Sequence, residues 1–153
     1  MSAESRLSEL GLELPPPPPP AGVYKPLVVS GNMAYVSGHG PLKPDGTMST
    51  GRVGSEVDRD AGYAAARQTG LAILATLKSE LGSLDRVRRV VKVLGMVNAA
   101  PDFKEQPAVI NGFSELMRDI FGEDAGVGAR SAIGMGSLPG NISVEIEVIF
   151  EIE

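Results

Sequence analysis

The chain has no cysteine, no tryptophan and only one histidine, His39. Without thiols it has no disulfide, no thiolate nucleophile and no cysteinyl metal site. A zinc site built on the lone histidine would need three carboxylates beside it, so a metal is not expected. No apolar run approaches the roughly 18 to 20 residues of a membrane span. The opening segment MSAESRLSELGLELPPPPPP has none of the apolar h-region of a secretory signal. A cytoplasmic location is therefore the expectation, and the lack of cysteine permits it. The net charge of −5 repels phosphate backbones, so a nucleic-acid partner would require a local basic patch.

What remains is an ordinary globular composition, 42% apolar and 22% charged over 153 residues, enough for one domain with a real core. Residues 1–21 read as a short helix ended by Gly11, followed by the run Pro15 to Pro20, and residues 22–153 as the domain proper. Six consecutive prolines form a stiff polyproline II segment that can neither continue a helix nor join the centre of a sheet. Such a run suits a strap across its own domain, or a ligand for a proline-reading partner.

From Lys25 the pattern is that of strands. PLVVSGNMAYVSG gives two β-rich runs around Gly31-Asn32, a dipeptide suited to a tight hairpin. KPDGTM adds a turn at Asp45-Gly46. Ser55 with Asp58 resembles a capping box opening a long helix, which carries Ala65, Leu71, Leu74, Leu77 and Leu81 at helical spacing and closes at Gly82. RVRRVVKVLGMV is β-branched and predicts a strand. A second helix is expected from about Gln106 to Phe121, with Pro107 in its first turn and an apolar stripe from Val109 to Phe121. Two strands close the chain. The expected fold is α+β, a mostly antiparallel sheet with two helices on one face.

The closing segment, GARSAIGMGSLPGNISVEIEVIFEIE, predicts a hairpin about a type II turn at Pro139-Gly140. In that register Arg130, Glu145, Glu147 and Glu151 share one face, while Ile133 and Met135 join Val144, Ile146, Val148, Phe150 and Ile152 on the core side. Two readings of Arg130 are open. It pairs with the acids on a solvated face, or it stands above the trough of Ala132, Gly134 and Gly136 and holds a small carboxylate by a bidentate pair.

AYVSGHGPLKPDG, SLDRVRRVVKVLGMV and ARSAIGMGSLPGNISVEIE, in this order, resemble the RidA family (YjgF/YER057c/UK114, also labelled endoribonuclease L-PSP) over residues 22–153. The resemblance implies a chorismate-mutase-like fold and a homotrimer with ligand clefts between subunits. It also implies cofactor-free hydrolysis of reactive 2-imino acids or their enamine tautomers to 2-oxo acids and ammonia. Carried over by position, Arg130 would hold the substrate carboxylate and Glu145 would orient the attacking water. Ser37 and Gly38 would place the substrate through their backbone, and Tyr24 would wall the cleft. Asn111 matches the asparagine of the second helix, although its helical phase also suits a surface or subunit contact.

The sequence departs from the family where His39 replaces a glutamine and Ala132 a cysteine or threonine. Both positions belong to the expected substrate-binding set, and the departures mark a divergent subgroup. His39 lacks the third, orienting group of a catalytic triad and suits a structural role or one tuning the cleft. The basic cluster Arg86, Arg88, Arg89 and Lys92 has no aromatic platform beside it and suits a solvated or subunit-facing strand edge, which argues against RNA. A non-catalytic, carboxylate-binding or regulatory trimer is the alternative to the enzyme, with an endoribonuclease or translation inhibitor behind both.

Overall fold

The computed structural model describes residues 1–153. Its elements run α1 (Ala3–Glu9), β1 (Leu27–Ser30), β2 (Met33–His39), α2 (Arg59–Leu81), β3 (Val87–Asn98), α3 (Gln106–Phe121), β4 (Ala129–Met135) and β5 (Val144–Ile152). Five strands form one sheet in the order β1-β2-β5-β3-β4, antiparallel except for the parallel pair β3-β4. This is the α+β, mostly antiparallel arrangement expected, with α2 and α3 packed on one face.

Local chemistry accounts for most boundaries. Gly31 takes the left-handed conformation that closes the β1-β2 hairpin, pairing Ser30 with Met33. The cap of α2 differs from the expected box. Asp58 is itself the N-cap, accepting from the Ala61 N–H at 2.8 Å, and Ser55 lies outside the helix. The reason is a turn just upstream, where the N–H groups of Glu56 and Val57 both donate to the Arg52 carbonyl and keep Ser55 in a loop. Gly82 ends α2 in the left-handed region, and Pro107 occupies the first turn of α3.

α2 is buried at every residue from Thr69 to Leu77, where it packs against both the sheet and α3. The two helices approach so closely that a Cβ on Gly112 would overlap the Tyr63 carbonyl. The whole stripe of α3, Val109 through Phe121, is buried in the same cluster as Ile146, Val148 and Phe150. Ala3 and Leu7 of α1 join that cluster, and Arg6 donates to the Ile120 carbonyl at 3.2 Å near the end of α3. Leu12 and Leu14 pack against it, and Pro15 is buried, so the proline run starts anchored on its own chain.

The expected closing hairpin is absent. The turn exists, with the Asn141 N–H donating to the Leu138 carbonyl and Gly140 in the left-handed region. However, residues 136–143 carry the chain across the end of β3, so β4 and β5 flank β3 instead of each other. A parallel β3-β4 pair needs a crossover, and α3 supplies it. The faces change accordingly. Arg130 and Val148 both pair with Val93 and share the helix-covered face. Ile133 and Met135 lie on the opposite face, where Ile133 is 40% exposed. That face carries no helix and presents Tyr35, Leu94 and Ile149 beside Glu145 and Glu147.

Candidate functional site

The uncovered face holds the first part of the site. β2 and β5 pair regularly from Met33-Glu151 to Val36-Val148, and then His39 pairs with Ile146. Two β2 residues, Ser37 and Gly38, stand where β5 has one, Glu147, between its paired positions. The resulting bulge bends the strand toward the open face. Gly38 there lies against Glu145 so closely that a Cβ at position 38 would overlap the Glu145 carboxylate. Glycine is what lets strand and carboxylate meet.

Ser37 is occupied structurally. Its N–H donates to the Pro26 carbonyl at 3.0 Å and its hydroxyl to the Lys25 carbonyl at 2.6 Å. These bonds hold the segment that follows Tyr24, whose phenol oxygen accepts from the Ala21 N–H at 3.1 Å. Tyr24, Ser37, Gly38 and Glu145 thereby line one cleft of about 760 Å³, with Thr50 and Pro139 on its far wall. No side chain donates to Glu145 and no cation pairs with it. Burial, and then the neighbouring Glu147 charge, push its carboxyl above the ordinary range.

The bulge returns His39 to the helix side, so its ring does not face the cleft as expected of a residue touching substrate. The ring is buried, with Nδ1 at 2.6 Å from the Ser37 carbonyl and Nε2 at 2.7 Å from the Thr76 hydroxyl of α2. A carbonyl only accepts, so Nδ1 carries the proton and Nε2 accepts from Thr76. Burial holds the imidazole below its usual range and keeps it neutral. His39 pins the bulge to α2.

The second part lies on the other face. Arg130 Nη1 donates to Asn111 Oδ1 at 2.8 Å and Ser114 Oγ at 3.1 Å, both on α3. No carboxylate is within ion-pair distance, so the first of the two readings of Arg130, pairing with the acids of β5, does not hold. Two neutral side chains fix the guanidinium and leave its charge uncompensated beside a cavity of about 360 Å³. Ala132, two residues along the same face, packs against the core and lines neither cavity.

Within one chain the structure thus gathers Tyr24, Ser37, Gly38 and Glu145 on one face, and Arg130 with Asn111 on the other. Ser114 and Thr76 escaped the sequence reading. The i, i+3 spacing of Asn111 and Ser114, both off the apolar stripe, was an available signal for Ser114. Nothing in the sequence pointed to Thr76. Two of the four residues of the basic cluster are paired with acids, Arg88 with Glu153 at 2.7 Å and Arg89 with Asp124 at 3.1 Å, while Arg86 donates to the Glu153 carbonyl. No three His, Asp or Glu side chains converge as metal ligands.

Comparison with known proteins fits this geometry. The family model described as "YjgF/chorismate mutase-like, putative endoribonuclease" matches residues 4–150. Protein TCP17 of Trypanosoma cruzi is 40% identical over 148 residues, covering 97% of this chain and 92% of that protein. Atu1372 of Agrobacterium tumefaciens, a protein of unknown function, is 45% identical, with a TM-score of 0.88 over 98% of this chain and 91% of its own. RidA from an Antarctic Psychrobacter is 28% identical, with a TM-score of 0.62 over 88% and 93%.

Proposed function

This chain belongs to the YjgF/RidA family, and from that premise we propose that it hydrolyses 2-imino acids, or their enamine tautomers, to 2-oxo acids and ammonia in the cytoplasm. The reaction takes place in a cleft shared between neighbouring copies of a homotrimer. One observation carries the reading: an uncompensated Arg130 and an unpartnered Glu145 lie on opposite faces of one sheet. No small ligand reaches both within a chain. A neighbour laid against the helix-free face, which exposes Tyr35 and Ile133, brings a second chain's arginine to the first chain's glutamate.

The chemistry follows from the groups present. Arg130 grips the substrate carboxylate through the N–H groups that Asn111 and Ser114 leave free. This orients the imine carbon, which is already electrophilic, so positioning supplies much of the catalysis. Water forms a C–O bond to that carbon while Glu145 takes a proton from it. Glu145 passes that proton to the imine nitrogen as the C=N π bond opens, then takes the hydroxyl proton of the carbinolamine and gives it to the same nitrogen; the carbon–nitrogen bond breaks, ammonia leaves and the carbonyl forms. A carboxylate with a raised pKa is the better base for this step.

The test uses an imine generated in situ by an amino acid oxidase. The protein should speed ammonia release, and Arg130→Ala should abolish that effect in a folded trimer. A wild-type protein that binds 2-oxo acids without accelerating hydrolysis would instead be a carboxylate-binding trimer.

A further inference from the structure

Beneath the proline strap lies a second, smaller pocket of about 100 Å³, walled by Pro18, Pro20, Pro26, Leu42 and Met48. It adjoins the Glu145 cleft, and Ala21, Tyr24, Gly38, Gly40 and Met48 border both. No charged side chain lines it. Its shape is held from several sides. His39 pins the bulge that forms its floor, and Gln68 Nε2 donates to the Leu42 carbonyl at 2.6 Å. Gly40 keeps it clear, because a Cβ there would press on Met48 Sδ at 2.9 Å and Ile142 Cδ1 at 3.0 Å.

We infer that this pocket is the side-chain subsite of the active cleft and selects 2-imino acids with an unbranched or branched alkyl side chain of about four carbons. The inference rests on the proposed imine chemistry. Gly38 connects the two features: its backbone meets the Glu145 carboxylate on one side and borders the strap pocket on the other. A substrate carbon beside Glu145 therefore directs its side chain under the strap. An apolar cavity of roughly 150 Å³ takes the six carbons of benzene, so 100 Å³ takes about four. Charged side chains find no ionic partner there, because the polar side chains at its border, Tyr24 and His39, carry no charge.

The test compares 4-methyl-2-oxopentanoate with pyruvate, the products of a four-carbon and a one-carbon side chain, by calorimetry on the full-length protein. The longer acid should bind roughly sixtyfold more tightly, from about a fourfold gain for each of three further buried carbons. Met48→Trp, which fills the pocket, should bring the ratio close to one. Replacing Pro18–Pro20 with Gly-Ser-Gly, which removes its roof, should do the same and serves if the first variant does not fold. Equal affinities in the wild type, or a preference that survives both substitutions, would overturn the subsite. A preference that behaves as expected in a protein without imine turnover would establish the subsite and overturn the hydrolase. Failure to bind either acid would remove both.

Discussion

Arg130 and Glu145 both lie beside β3, yet they leave the sheet in opposite directions. Arg130 pairs with Val93 and Glu145 with Met96, an odd number of residues apart on a strand whose side chains alternate. A site that uses both residues has to be assembled from two chains.

Mixed trimers should therefore recover activity that neither parent has. Arg130→Ala and Glu145→Gln, each inactive alone, are denatured together, refolded and assayed for ammonia release. With one residue drawn from each of two subunits, as proposed, random assortment should restore about a quarter of wild-type activity. A mixture as inactive as its parents would place both residues in one chain's site.

Gly38→Ala should separate catalysis from folding. The new methyl group meets the Glu145 carboxylate, the tip of a side chain that can swing away, so the sheet persists while the base is displaced. A fall in kcat on the order of 10² is expected, with little change in melting temperature. Kinetics and thermal denaturation on the same sample check both halves.

Glu145 should make neutral pH costly. Its folded pKa is raised, so the stability linked to its protonated form is present below the ordinary value of 4.5 and is lost as pH rises through the folded value. Glu145→Gln should consequently melt above the wild type near about pH 7.5, and the gap should close toward about pH 4. The acid limb of kcat/KM should also lie above the usual carboxylate range, as read from a pH-rate profile.

His39 should act in the opposite sense. Its folded pKa is lowered, so its contribution is present above the unfolded value of 6.5 and is lost as pH falls below it. The wild type should lose stability as pH falls below about 6.5, and His39→Gln should flatten that portion of the curve. At neutral pH the substitution should cost about 1–3 kcal/mol through the Ser37 carbonyl and the Thr76 hydroxyl it leaves unpaired. Denaturant titrations across pH measure both effects.

The helices were legible in the sequence because their signals are local. The stripe from Val109 to Phe121, Pro107 and Gly122 mark α3 without reference to the rest of the chain. The β1-β2 hairpin was legible for the same reason, since Gly31-Asn32 closes it within two residues. The β4-β5 pairing was not. Pro139-Gly140 does make a turn, but a turn reverses direction without saying which neighbour a strand meets. Ala132 and Gly134 deprive β4 of the alternation that would have shown its faces. Recognition by motif still assigned Tyr24, Glu145, Arg130 and Asn111 to one functional set, because a motif marks positions irrespective of the chain that supplies them. The role of His39 depended on a bulge two residues wide and on Thr76, which is 37 positions away.

The order β1-β2-β5-β3-β4 has a consequence for how the chain is made. The middle strand of the sheet is the last to be synthesised, and β2 and β3 cannot reach each other without it. Until β5 emerges, the nascent protein holds a hairpin and a β-α-β unit with two unmet edges, each a template for wrong pairing. Closing the sheet then depends on contacts far apart in sequence, which form slowly. A chaperone that shields strand edges should matter most until β5 has emerged.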